Sequence, residues 1–176
     1  TNMSSMFQGA FIFDQPIGAW NVSKVTNMSN MFSDAISFNQ YIGNWNTSNV
    51  VSMIKMFQNA NRFNQDINTK VVTVNNETYT AWNTSKVTDM SSMFHGASNF
   101  NGDLSNWDVS SVTNMAWMFY SAESFNQDIS DWDVSSVTDM DYMLDSTDDL
   151  SDDNKCYIHT SFSSNADWPY NWENRC

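Results

Sequence analysis

Basic residues are scarce in this sequence. Seven Lys and Arg stand against twenty Asp and Glu in 176 residues, a formal charge of −13. Phosphate contacts need clustered Lys and Arg, so binding to nucleic acid is excluded. Glycine is also rare, with five residues, and none of them builds the Gly-rich loop that cradles a phosphate. The two histidines, His95 and His159, have neither a matching nucleophile nor a metal-ligand spacing around them, and there is no CxxC. No apolar run approaches the roughly 18 residues of a membrane-spanning helix. Cysteine is limited to Cys156 and Cys176, both close to the end of the chain.

What the chain has in abundance is repetition. All 12 Met residues occupy two positions of one motif, in the pairs Met3/Met6, Met28/Met31, Met53/Met56, Met90/Met93, Met115/Met118 and Met140/Met143. The step is 25 residues everywhere except one step of 37. A fixed period of this size signals stacked supersecondary units, none of which buries its apolar face alone. The sequence opens on Thr1-Asn2-Met3, in the middle of a repeat, which implies a processed product or a fragment of a longer chain.

Within each unit, Met28, Met31, Phe32 and Ala35 follow the i, i+3, i+4, i+7 spacing of one helical stripe, so a short helix is expected there. Ahead of it, Trp20-Asn21-Val22 and its copies show the period of two that marks a strand. The expected architecture is an α/β repeat solenoid over residues 1–150, with a parallel β-sheet on one face and short helices on the other. Trp20, Trp45, Trp82, Trp107 and Trp132 are expected to form an interior ladder covered by the Met pairs. The recurrent Asn39, Asn64, Asn101 and Asn126 are expected to hydrogen-bond between turns, and Ser23 and its copies to cap the bend.

Two segments depart from the period. Twelve extra residues within 68–81 place two β-rich arms around Asn75-Asn76, a hairpin signal. After residue 150 the repeat gives way to a tail with Cys156 and Cys176, read as a C-terminal cap. A disulfide there implies an oxidising, extracellular compartment, and free buried thiols are the alternative.

Blocks such as Phe125-Asn126-Gln127-Asp128-Ile129-Ser130-Asp131-Trp132-Asp133-Val134 resemble the repeat of the BspA-like leucine-rich-repeat surface proteins, over about residues 1 to 150. The resemblance implies a right-handed leucine-rich-repeat-type coil, secreted or displayed on a cell surface, that serves as an adhesin or interaction module. It does not identify a ligand.

A repeat offers the same group many times over, whereas an active site needs convergent unlike groups, so no catalysis is expected. Three outward aromatics, Trp117, Tyr120 and Tyr142, are expected to adjoin and to contact another protein or a glycan, unless the tail folds over them. Asp108 and Asp133, which follow the repeat Trp, and Asp131, which precedes it, project off the expected sheet, where solvent screens them or a cation bridges them. The acidic run Asp145, Asp148, Asp149, Asp152 and Asp153 is the candidate Ca²⁺ site. Its spacing matches no EF-hand, and a solvated loop is the alternative. Of the Asn-x-Ser/Thr sequons, Asn76 at the hairpin tip is the most accessible, followed by Asn21, Asn46 and Asn83. Together these features point to an extracellular binding domain for proteins or glycans. The alternative is a structural subunit that stacks on copies of itself, end to end, into a filament or sheath.

Overall fold

The computed structural model describes residues 1–176 throughout. In each repeat, backbone N–H groups divide by parity from the first Met onward. Those of Met28, Asn30, Phe32 and Asp34 donate to Ser52, Ile54, Met56 and Gln58 of the next turn at 2.7–3.1 Å. Those of Met31, Ser33 and Ala35 donate three residues back, to Met28, Asn30 and Phe32. The remaining donor, Ser29 N–H, is taken by the Asn27 side-chain oxygen at 2.8 Å, so every donor of the segment is satisfied, half within the turn and half along the stack. The pattern recurs in the repeats that begin at Met53, Met90 and Met115, while in the last one the Leu144 N–H donates to the Tyr170 hydroxyl of the tail. Single parallel bridges run Asn2, Asn27, Ser52, Asp89, Asn114, Asp139 down the pile.

This bonding rules out the α/β architecture expected from the sequence, including the leucine-rich-repeat-type coil that the resemblance implied. The repeats contain neither helices nor a parallel sheet: the regular elements are one two-stranded antiparallel hairpin, one α-helix and a short 3₁₀ turn. Of 84 backbone hydrogen bonds, 71 lie outside helices and strands, so turns and inter-turn bonds hold the fold. The physical reason lies in the third and seventh residues counted from each first Met. These take positive φ in every repeat, as in Asn30 (57°), Asp34 (60°), Ser92 (54°) and Gly96 (68°). A left-handed residue at the third place of a four-residue turn is compatible with a turn but ends an α-helix. The expected strand is likewise two successive turns, closed by Trp45 N–H to Ile42 and Val50 N–H to Thr47.

The apolar residues fill the pile as columns. Phe7, Phe32, Phe57, Phe94 and Phe119 stack at centroid separations of 5.5–5.6 Å. Phe13, Phe38, Phe63, Phe100 and Phe125 form a second column at 5.9–6.4 Å. Within a turn the two rings are about 4 Å apart, as in Phe57–Phe63 at 4.0 Å. Of the five repeat Trp residues expected to form one interior ladder, Trp82, Trp107 and Trp132 make a third column, stacked at 6.1 and 6.5 Å, and Trp45 is buried without stacking on another indole. Each buried indole N–H finds a carbonyl one turn back: Trp45 to Ile17, Trp82 to Ile42, Trp107 to Ile67 and Trp132 to Leu104. Trp20, in the first turn, is partly exposed.

Asparagine and aspartate supply the turn chemistry in place of glycine. The side-chain oxygens of Asp14, Asn39, Asn64, Asn101 and Asn126 accept the backbone N–H of the matching residue one turn on, at 2.9–3.0 Å. The ladder therefore runs from amide oxygen to backbone, not from amide to amide. The bend after each Trp is closed by the residue expected to project outward. Asn21, Asn46, Asn83, Asp108 and Asp133 accept the N–H of the serine two residues on, an Asx turn. The serines are thus donors to these caps.

Residues 68–81 do form a projecting hairpin, β1 (Lys70–Val74) paired antiparallel with β2 (Glu77–Ala81). Its two tip residues, Asn75 and Asn76, both have positive φ, the requirement of a type I′ turn. At the other end, α1 (Asp152–Phe162) starts from the Ser151 cap and buries Ile158 and Phe162 against the last turn. Trp168, Tyr170 and Trp172 pack in a cluster beside it, and the Asn165 amide donates to the carbonyls of Val134 and Val137. The tail is closed by a Cys156–Cys176 disulfide.

Three outcomes are expected from this packing. Phe57→Ala removes a ring stacked on three other phenylalanines and should cost about 3–5 kcal/mol in denaturant unfolding. Phe7→Ala, at the less buried first turn, should cost clearly less. Replacing both cysteines by Ser should lower stability by roughly 2–4 kcal/mol and speed amide exchange first in α1.

Candidate binding surface

The left-handed third positions of the repeats form a column, Ser5, Asn30, Lys55, Ser92, Trp117 and Tyr142, exposed at Ser5, Lys55 and Tyr142, half-buried at Asn30 and Trp117 and buried at Ser92. Three residues further along each repeat, a second column includes His95 and Tyr120. In the last three turns aromatic rings from both columns meet. Trp117 lies 4.4 Å from Tyr142 and 4.8 Å from Tyr120, and His95 lies 5.0 Å from Tyr120 and 6.0 Å from Trp117. Tyr142 is 48% exposed, while Trp117, Tyr120 and His95 are half-buried. The tail does not add a ring to this group, since Trp168, Tyr170 and Trp172 stack with one another and with Phe162.

Two of these aromatics sit in strained backbone. Trp117 has φ of 61° and Tyr142 of 56°, a conformation that costs an L residue about 1–2 kcal/mol. Ser, Asn and Lys occupy the same place in other turns, so the stack does not require a ring there. Burial pushes the His95 imidazole below its ordinary 6.5, and the nearby Lys55 ammonium adds to the shift.

The acidic residues do not come together in the same way. Asp108 and Asp133 serve as Asx caps, and hydrogen bonds from the Ser135 hydroxyl and N–H hold the Asp133 carboxyl below its usual range. Asp131 is exposed beside this bend. No three His, Cys, Asp or Glu side chains converge in a metal-binding group, and the five residues of the candidate Ca²⁺ run have separate surroundings. Asp145 accepts from the Tyr170 hydroxyl at 2.7 Å. Asp152 and Asp153 occupy the first turn of α1, where carboxylates offset the helix dipole, and Asp152 also pairs with Arg175 at 3.2 Å. Asp148 and Asp149 are exposed. Burial, together with the bond to Asp145, drives the Tyr170 phenol far above its usual range, so it stays a neutral link between α1's end of the chain and the last turn. Among the sequons, Asn76 is exposed at the hairpin tip, whereas the Asn21, Asn46 and Asn83 oxygens are engaged in Asx turns.

The model of one family, described as Mycoplasma protein of unknown function, DUF285, matches residues 1–78 and again 69–171. The chain belongs to this family. No curated protein and no solved structure matches it. The two matches overlap in the hairpin and together run from the first turn into the tail, past the end of α1. That description assigns no function, and the site is read from its geometry. No helix is long and apolar enough to cross a membrane.

Sequence reasoning found Trp117, Tyr120 and Tyr142 but not His95 as their neighbour. The available signal was its register, five residues after Met90 just as Tyr120 stands five after Met115. Because the folded His95 binds a proton less readily than the unfolded one, its contribution is complete above 6.5 and falls away as the pH drops below that value. His95→Gln should flatten that part of the stability profile measured by denaturant unfolding across the same range.

Proposed function

We propose that this chain is a non-catalytic, extracellular binding module in which the rigid pile of turns presents His95, Trp117, Tyr120 and Tyr142 to a protein or glycan. The observation that carries the reading is the left-handed backbone at Trp117 and Tyr142. A bulky residue is held there at an energetic cost in a place where other turns carry Ser, Asn and Lys. The left-handed backbone is common to this place in every repeat, so it is the choice of a ring there that serves something other than the fold. Clustered, partly exposed rings are the groups that dominate recognition surfaces. The disulfide is consistent with an oxidising compartment, and the resemblance of the repeat to BspA-like surface proteins points the same way.

Charge narrows the choice of partner. Residues 99 to 176 hold fifteen acids against Lys155 and Arg175, while the first 98 residues hold five of each sign. The aromatic group lies mainly in the acidic half, so a protein partner would approach with a basic rim, and its association would weaken with salt. Assembly end to end is the weaker reading, because α1 and the Trp168–Tyr170–Trp172 cluster pack on the last turn.

The test is the pair Trp117→Gly and Tyr142→Ala assayed on protein and glycan arrays beside the wild type. In Trp117→Gly the relief of backbone strain and the loss of ring stacking should offset to within roughly 1 kcal/mol of stability, while binding falls at least about tenfold. Wild-type binding by both folded variants would refute the assignment.

A further inference from the structure

The insertion makes a concave feature with the first two turns that no other pair of turns has. The hairpin leans back over the first two turns and encloses a cleft of about 570 Å³, within the size range of small-ligand sites. Three aromatics line it. Trp20 is 39% and Tyr41 47% exposed, and Tyr79 of β2 is half-buried with its hydroxyl on the Asn44 carbonyl at 2.6 Å. The Tyr41 ring lies where a Cβ on Gly43 would come within 2.7 Å of it, so this ring is seated by the one residue type that leaves room.

The polar lining is equally ordered. Asn21 Oδ1 accepts the Ser23 N–H and hydroxyl at 3.1 and 2.7 Å, and Asn44 Oδ1 accepts the Tyr41 hydroxyl at 2.9 Å. With both oxygens engaged by the protein, each amide NH₂ is left as a donor without a protein acceptor. Glu77, at the start of β2, adds an acceptor. The lining includes no cation: the nearby Lys70 ammonium is paired with Asp66 and lies 5.8 Å from the Tyr41 ring centroid.

We infer that this cleft is a saccharide site, taking neutral sugar rings from an oligosaccharide chain. Exposed indole and phenol faces suit the apolar C–H face of a pyranose, and oriented amide donors with a carboxylate acceptor suit its hydroxyls. A phosphate or acidic sugar finds no counter-charge, and Glu77 repels it. The cleft is separate from the aromatic group at His95, Trp117, Tyr120 and Tyr142, and either site stands without the other.

Titration calorimetry of the intact chain with cellohexaose, chitohexaose, maltohexaose and mannohexaose, each at millimolar concentration, tests this. At least one should bind, with Tyr41→Ala and Glu77→Gln each weakening it by about tenfold or more and Trp117→Gly leaving it unchanged. Tyr41 is exposed, so Tyr41→Ala should keep the wild-type melting profile, and Glu77→Gln alters charge alone. Four inert oligosaccharides would overturn the inference. So would affinity unchanged in both cleft variants, affinity lost only in Trp117→Gly, or binding of the cleft to peptides in place of sugars.

Discussion

The division of backbone donors in the segment after each first Met is the constraint on which the rest depends. One N–H in two reaches the next turn, and the intervening ones close tight turns within their own. Neither half is sufficient. Turns alone leave half the donors of a buried segment without acceptors, and bonds to the next turn alone do not fold the chain back into a coil. Left-handed residues at two places per repeat reconcile the two sets of bonds, and the side chains then fall into register one above another.

That register makes the core a set of columns. Rings of the same kind meet at the same separation from turn to turn, and each buried indole is tied to the carbonyl one turn back. A change at one level is felt by the levels on either side, so cooperativity runs along the pile and not across a single globular core. No buried side-chain nitrogen or oxygen lacks a partner, which follows from the same repetition: a polar position satisfied once is satisfied in every copy. The outward columns carry no such obligation. They vary from Ser to Lys to Trp, and it is along them, and at the one inserted hairpin, that recognition chemistry has room to appear.

Much of this was legible before any coordinates. The period, the 68–81 hairpin, the asparagines that bond between turns, the burial of the repeat Trp residues from Trp45 onward and the nearness of Trp117, Tyr120 and Tyr142 all follow from spacing in the sequence. Trp20 is left exposed because, in the first turn, it is covered from one side alone. The helix and the strand did not survive. Met28, Met31, Phe32 and Ala35 satisfy a helical stripe, and a single chain read alone contains no sign that its amides have better acceptors elsewhere. A hint lay in the seventh residue from each first Met, which is Gly9, Asp34, Asn59 and Gly96 in the first four turns, all residue types that tolerate positive φ. The aspartates after Trp were misread for a related reason. In a strand Asp108 and Asp133 would project into solvent, but in a turn their carboxylates reach the N–H two residues on.

The sequence by itself determined which residues are inside, how often the chain returns, and where it departs from its own rule, because burial and periodicity are properties of residue type and spacing. The stacked structure alone decided the conformation of each repeat, since the acceptors for half of its amides belong to the neighbouring turn and exist only once that turn is in place. It also decided the cleft, in which Tyr79 of the hairpin meets Asn44 at 35 positions' remove, a contact between segments whose separation in the sequence carries no signal of their meeting.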